Sequence, residues 1–261
     1  MMDSPFPPDV ANTEAPPPVA PLSVTDKFIG ILTEPASTFE NLRQAGMRAS
    51  DWLVPVLILT IVIAAATYIQ MTDPAMKEQL RQKTEQQFDE QVASGKMTPQ
   101  QKEQAISMME KMGSLQAIFA VGGVIIFVPV VLLLMALIYW LILKFGFKGS
   151  AAYSMIFAAA ALTTYIGAID QIVILLISIV TKNFYATFSL GFFMAPNLTS
   201  PAYKLISALD PISIWSSYVM ALGFSKVSGV SKGKTLTLVF GLWIAWVLVG
   251  AFVKLPFGAM Q

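Results

Sequence analysis

Long stretches without a charged side chain are the feature that most constrains how this chain can fold. The longest covers residues 112–143, and shorter ones cover residues 52–72, 149–169, 211–225 and 235–253. A helix needs about 18 or more apolar residues to cross the ~30 Å hydrocarbon layer of a bilayer. Inside lipid, its backbone must be hydrogen bonded within the segment. The sequence therefore predicts an all-α fold, an integral membrane helical bundle.

Five transmembrane helices are predicted from these stretches. They cover about residues 52–70, 115–143, 150–180, 211–227 and 235–252, within a membrane domain at 51–254. Residues 184–204 are expected to form an interfacial loop rather than a sixth span. Five spans place the termini on opposite sides. When the long polar insert is left aside, the N-terminal side carries more lysine and arginine, including Lys27, Arg43 and Arg48. This pattern predicts a cytoplasmic N-terminus, in what we expect to be a bacterial inner membrane.

Three segments lie outside the predicted spans. Residues 1–21 are proline-rich and predict a disordered tail, either a spacer or a strip for a proline-recognising partner. Residues 22–50 mix apolar and polar side chains and predict an amphipathic helix pair in the headgroup region. Residues 73–114 predict an extramembrane helical hairpin, because Asp73-Pro74 starts a helix and Thr98 with Gln101 forms a capping box. We expect the second arm of this hairpin to continue into the second span.

Composition excludes most reactive chemistry. The chain contains no cysteine and no histidine, which removes thiol nucleophiles, Cys/His zinc sites and Ser–His dyads. An aspartyl protease site needs two carboxylates, and Asp170 is the one acidic residue within a predicted span. The net charge of +1 gives no indication of nucleic-acid binding. We therefore predict no catalytic residue, no metal ligand, no cofactor, no nucleic-acid partner and no enzymatic activity.

Asp170, followed by Gln171, is the candidate intramembrane polar site. A carboxylate at the centre of a span costs about 2.5–3.5 kcal/mol on insertion scales, so such a group is rarely without a role. One interpretation makes Asp170 an ion or proton site in a transporter. Another pairs it with Gln171 or with a serine or threonine hydroxyl, and a third makes it the end of a shorter helix. The sequence leaves all three open.

Two sets of small residues predict close helix packing. Ala160, Thr164 and Ala168 follow one another at i, i+4 spacing in the third predicted span, and Gly241 and Ala245 do so in the fifth. Small side chains at this spacing let a second helix approach closely within a membrane. Bundle packing accounts for them without any further function.

Several short motifs resemble those of the Yip1-domain membrane proteins. They are Pro35-x-x-Thr38-Phe39, then Leu209-Asp210-Pro211-x-x-Ile214-Trp215 with Leu222-Gly223, and finally Val227-Ser228-Gly229-Val230-Ser231 before the last span. The resemblance covers about residues 26–253 and implies the bacterial branch of the family. Eukaryotic members lie in Golgi and ER membranes and bind Rab-type GTPases, but their Asp-Leu-Tyr-Gly-Pro motif is absent here.

Two functional hypotheses follow from the sequence. The leading one is a non-enzymatic membrane protein that organises protein partners or lipids through residues 22–50 and its small-residue helix faces. Its expected partners are the lipid bilayer and a membrane or cytoplasmic protein, or a second copy of the chain. The alternative is a small transporter or channel-like permease that uses Asp170.

Overall fold

The computed structural model describes residues 19–113, 115–194, 197 and 200–252. Within these residues the chain is helical and contains no strand. The helices are α1 (Val24–Thr33), α2 (Pro35–Ala45), α3 (Ser50–Thr72), α4 (Pro74–Ala93), α5 (Pro99–Met112), α6 (Leu115–Leu141), α7 (Tyr153–Thr181), α8 (Pro201–Ser207), α9 (Pro211–Ser228) and α10 (Lys232–Phe252). The predicted tail at residues 1–21 lies outside the described residues except for 19–21. The predicted all-α membrane bundle is confirmed.

Four of the described helices are long and apolar enough to cross a membrane without interruption. They are α3, α6 with its π-helical extension Ile142–Gly146, α7 and α10. Helix α9 has 18 residues but reaches the required hydropathy only together with α8, and the two are bent by 63° relative to each other. The described residues therefore hold four candidate spans, or five when α8 and α9 are counted as one bent span. The break falls at Asp210-Pro211 because proline has no N–H with which to continue a preceding helix.

The polar insert forms the expected helical hairpin of α4 and α5. The Asp73 side chain accepts hydrogen bonds from the N–H groups of Ala75 and Met76 at the start of α4. Thr98 and Gln101 form a reciprocal capping box at the start of α5. However, α5 ends at Met112, and Gly113 with φ +45° separates it from α6. The expectation that α5 continues into the second span is wrong, since this backbone conformation favours glycine and ends the helix.

Helix α7 is the centre of the bundle and packs against α1, α3, α6 and α9. Every residue of its Ile156–Thr163 segment is buried, and most of them belong to one hydrophobic core with Ile31, Phe39, Leu143 and Phe224. In α6, by contrast, the buried residues are Ala117, Ala136 and Tyr139. Most of the surface of α6 is therefore left to lipid or to another chain.

The N-terminal helix pair, α1 and α2, packs onto one end of the bundle. Helix α1 contacts α7 and helix α2 contacts α9. Ile31, Phe39 and Leu42 are fully buried in these contacts. The predicted amphipathic pair is present as two helices, but its apolar face lies against the bundle rather than against lipid.

The segment between α7 and α8 contains, in its described residues, only a 3₁₀ turn at Leu190–Phe193. The last residues of the predicted loop, from Pro201 onward, form the first turn of α8. The segment is anchored to the hairpin, because Gln79 bonds to the carbonyl of Lys182 at 2.7 Å and to the N–H of Phe184 at 2.9 Å. The Lys182 ammonium also pairs with Asp73 at 2.7 Å.

Candidate functional site

A buried carboxylate caps the start of α9. The Asp210 side chain, 7% exposed, accepts hydrogen bonds from the N–H groups of Ile212 at 2.7 Å and Ser213 at 3.0 Å. Pro211 occupies the first helical position, where the absence of an N–H costs nothing. The N–H of Leu190 in the 3₁₀ turn donates to the carbonyl of Leu209 at 3.4 Å. The 3₁₀ turn therefore lies against one side of the break between α8 and α9.

Asp170 on α7 lies opposite this helix start. It is 8% exposed, and its Oδ2 atom accepts a long hydrogen bond of 3.5 Å from the Ser213 hydroxyl. Its Oδ1 atom is buried and has no hydrogen-bond partner among the described residues. The same Ser213 also donates its backbone N–H to Asp210 Oδ1 at 3.0 Å, so the two acidic side chains lie on either side of this residue. Asp170 therefore does have a second carboxylate beside it, contrary to the expectation from the sequence.

A cavity of about 220 Å³ opens beside this acidic pair. Its polar lining comes from Asp170 and the hydroxyls of Ser213, Ser216 and Ser217, and Trp243 of α10 closes one side. A water molecule occupies about 30 Å³ in the liquid, so the cavity has room for several waters or for a hydrated ion. Gln171, the other predicted polar residue, does not line it.

The alternatives left open for Asp170 are narrowed by this geometry. Helix α7 continues without a break to Thr181, so Asp170 does not end the helix. Its hydrogen-bond partner is a serine hydroxyl. The described residues contain no cluster of three or more acidic, histidine or cysteine side chains that could hold a metal ion.

A second buried charge site lies where the N-terminal helix pair meets the bundle, and the sequence did not reveal it. The Lys27 ammonium pairs with Asp51 Oδ1, and the two side chains are 3% and 0% exposed. Asp51 Oδ2 also accepts a hydrogen bond from the N–H of Arg48 at 2.9 Å. From the sequence, Lys27 is one of the positive charges on the N-terminal side of the membrane, whereas in the structure its side chain is buried. The sequence feature that could have indicated this buried ion pair is a lysine beside Phe28 and Ile31 on an apolar helix face.

Comparison with known proteins identifies the family. The Yip1 domain matches residues 29–253, which is most of the chain. The chain belongs to the Yip1 domain family. It is also similar to membrane protein YknW of Bacillus subtilis (strain 168), with 22% identity over 237 residues that cover 89% of this chain and 93% of YknW. No solved structure matches the chain.

The motif residues of this Yip1 domain come together in two places. Phe39 of α2 packs against Gly223 of α9, where an added Cβ would lie 2.7 Å from the Phe39 Cζ atom. Thr38 packs even more closely against Gly30 of α1, and both Pro35 and Thr38 are buried. Pro35, Thr38, Phe39 and Gly223 therefore join the N-terminal helix pair to the bundle.

The remaining motif residues lie at the two ends of α9. Asp210 and Pro211 start the helix at the acidic pair. Trp215 lies in the next turn, 40% exposed, and stacks on Tyr218 with ring centroids 5.4 Å apart. Gly229, with φ +73°, ends α9 in the left-handed conformation that favours glycine. At that end the Ser228 carbonyl accepts the N–H of Ser150 at 3.0 Å, which joins two connections on the same side of the bundle.

The predicted packing residues differ in their surroundings. Ala160 and Ala168 are buried in α7, and Thr164 is half-buried with its hydroxyl bonded to the Ala161 carbonyl at 2.6 Å. Gly241 and Ala245 of α10 are exposed instead. No atom of the described residues lies within 4 Å of a Cβ added at Gly241. This second pair faces lipid or another chain and makes no packing contact of its own within the described bundle.

Proposed function

We propose that this Yip1 domain protein is a non-enzymatic organiser in the bacterial cytoplasmic membrane, with its N-terminal helix pair on the cytoplasmic side. In this role the pair holds a partner protein at the membrane surface. The observation that carries the proposal is the fixed attachment of α1 and α2 to the bundle, combined with an apolar outward face that the described residues leave uncovered.

The attachment rests on three kinds of contact. Lys27 and Asp51 form a buried ion pair, Phe39 packs against Gly223, and Ile31 and Leu42 are buried against the bundle. A surface held in one conformation loses little conformational entropy when a partner binds. The helix pair is therefore suited to presenting a preformed surface.

The outward face of the pair is partly apolar. Val24 and Ile29 of α1 and Met47 after α2 are all exposed, Ile29 to 51%. Asp26 on the same helix is also exposed. A mixed apolar and polar surface of this kind is typical of an interface formed with a partner that is not permanently bound.

Site-specific photo-crosslinking in the native membrane tests the proposal. A crosslinking residue in place of Ile29 is expected to give one discrete protein adduct. The same residue in place of Gln44, which is exposed and polar on α2, is the matched control and is expected to give none. Equal adducts from both positions, or adducts to lipid alone, would contradict the proposal.

Point substitutions on the outward face are the appropriate companion experiment. Deleting residues 22–50 would remove the buried side chains of the pair and leave Asp51 buried without its cation. Such a deletion would disturb folding as well as binding. Replacing Ile29 by asparagine changes only the exposed face, so we expect a crosslink formed from Val24 to weaken while the melting temperature stays unchanged.

A second candidate function is supported by one observation. The Oδ1 atom of Asp170 is buried beside a polar cavity without a hydrogen-bond partner in the described residues, as an ion-translocating carboxylate would be. A small transporter would lose solute or ion flux in liposomes when Asp170 is replaced by asparagine, while still folding. Absence of flux from the wild-type protein would remove this candidate.

A further inference from the structure

We propose that the cavity at the break between α8 and α9 binds a monovalent alkali cation such as Na⁺, with Asp170 as its principal ligand. The site is formed by α7 and the first two turns of α9. It is independent of the organiser role, since it lies at the opposite end of α9 from the contact between Phe39 and Gly223.

The charge balance of the site calls for a cation. Asp170 and Asp210 are both more than nine-tenths buried, and both side chains accept hydrogen bonds from Ser213. Within the described part of the chain, no ion pair joins either carboxylate to a lysine or arginine. Buried charges are normally paired or bound to a metal, because an isolated charge is expensive to remove from water.

The ligand geometry favours Asp170 over Asp210. Asp210 Oδ1 is already occupied by the N–H groups of Ile212 and Ser213. Asp170 Oδ1 has no partner among the described residues, and the bond from Ser213 to Oδ2 is long at 3.5 Å. The Asp170 side chain, which lines the cavity, therefore has one carboxylate oxygen that no donor of the described residues occupies.

The other polar groups of the cavity suit a hard cation. Ser213, Ser216 and Ser217 add hydroxyl oxygens to its lining. The Ser217 hydroxyl donates its proton to the Ser213 carbonyl at 2.9 Å, so the lone pairs of the Ser217 oxygen point away from that bond. Oxygen ligands select hard cations, and a volume of about 220 Å³ leaves room for waters that complete the coordination.

The charge of the site favours a monovalent over a divalent ion. The N-terminus of α9 points at the acidic pair and supplies the equivalent of about half a positive charge. One carboxylate oxygen is occupied by backbone amides. Calcium usually takes six to eight oxygen ligands with several carboxylates, and the described residues hold no group of three acidic side chains at any one place.

Thermal unfolding of the full-length purified protein in nanodiscs, followed by tryptophan fluorescence, tests the site. Trp243 lines the cavity, so its emission also reports binding directly. We expect the melting temperature to rise saturably as NaCl replaces N-methyl-D-glucamine chloride at constant ionic strength. Asp170→Asn is expected to abolish this dependence. The matched control is Glu103→Gln, which neutralises an exposed acid on the hairpin and is expected to retain it.

A second variant keeps the proposal testable if Asp170→Asn does not fold. Ser213→Ala removes one hydroxyl and is expected to shift the NaCl midpoint by about tenfold, the equivalent of about 1.4 kcal/mol. A wild-type melting temperature that depends on pH but not on Na⁺ would overturn the proposal, since the acidic pair would then hold a proton. Saturation by Ca²⁺ or Mg²⁺ at far lower concentration than by Na⁺ would also overturn it. An unchanged Na⁺ dependence in both variants would place any cation elsewhere.

Discussion

The ring of Phe39 occupies the space that a side chain at Gly223 would need. A Cβ added at Gly223 would lie 2.7, 2.8 and 2.9 Å from the Cζ, Cε2 and Cε1 atoms of that ring. The two residues belong to separate sequence motifs, one before the first span and the other on α9, that resemble those of Yip1-domain proteins. Their contact is the close approach through which α2 is fixed to α9.

Replacing Gly223 by alanine is expected to destabilise the protein by about 1–3 kcal/mol, because an added methyl group would force the buried Phe39 ring out of its position. The matched control is Gly241→Ala on α10, where no described atom lies within 4 Å of the added Cβ. That change is expected to be neutral or to stabilise by up to about 1 kcal/mol through helix propensity. Reversible unfolding in mixed micelles measures both, and equal effects would contradict the close contact.

Removing either partner of the buried ion pair is expected to cost about 3–5 kcal/mol, because the other charge is left buried alone. Lys27→Met and Asp51→Leu are the informative single variants. Their double variant is expected to be less destabilised than either single one, which a double-mutant cycle measures. Arg43→Ala breaks the exposed pair with Glu40 and serves as the control, with little expected effect. Additive losses from Lys27 and Asp51 would argue against their pairing.

The anchor between the hairpin and the segment after α7 is expected to weaken in acid. The Lys182 ammonium, with help from the N–H of Met76, lowers the pKa of Asp73 below its ordinary value of 3.8. A carboxyl group whose pKa is lower in the folded state stabilises that state above the ordinary value, and this contribution is lost as the pH falls through the lowered pKa. Hydrogen exchange of residues 75–77 and 182–184, corrected for intrinsic rates, is therefore expected to accelerate below about pH 4.

Asp73→Asn is the matched control for this acid effect. Asparagine is as good a helix N-cap as aspartate, but it does not titrate. Its exchange rates are expected to stay flat over the same pH range, although the bond to Lys182 is weaker at every pH. The same acid-dependent acceleration in both proteins would mean that another group is responsible.

The sequence was sufficient for the parts of the fold that depend on local chemistry. Charge-free runs locate α3, α6, α7 and α10, and the caps at Asp73 and Thr98 locate the starts of the hairpin arms. The break of 63° between α8 and α9 was not predicted. Hydropathy depends on which residues a segment contains, whereas the direction of a helix before Asp210-Pro211 depends on what it packs against.

For the same reason, only one residue of the candidate site could be predicted from the sequence. Asp170 stands out because it interrupts an apolar span, but its neighbours Asp210 and Ser213 lie on a different helix. The pairing of Lys27 with Asp51 likewise depends on how α1 lies against the start of α3. Contacts between helices far apart in sequence depend on tertiary packing, which a single sequence does not reveal.

The docking of α2 on α9 also sets an order of events during synthesis. Phe39 leaves the ribosome about 180 residues before Gly223, a delay on the order of ten to forty seconds at about 5–20 residues per second. Throughout that time Phe39 and Leu42 of α2 lack the α9 surface against which they are buried in the finished protein. The boundary between headgroups and acyl chains beside the emerging first span is the nearest apolar environment. We therefore expect α1 and α2 to bind the membrane surface first and to dock on the bundle later, once α9 has been synthesised.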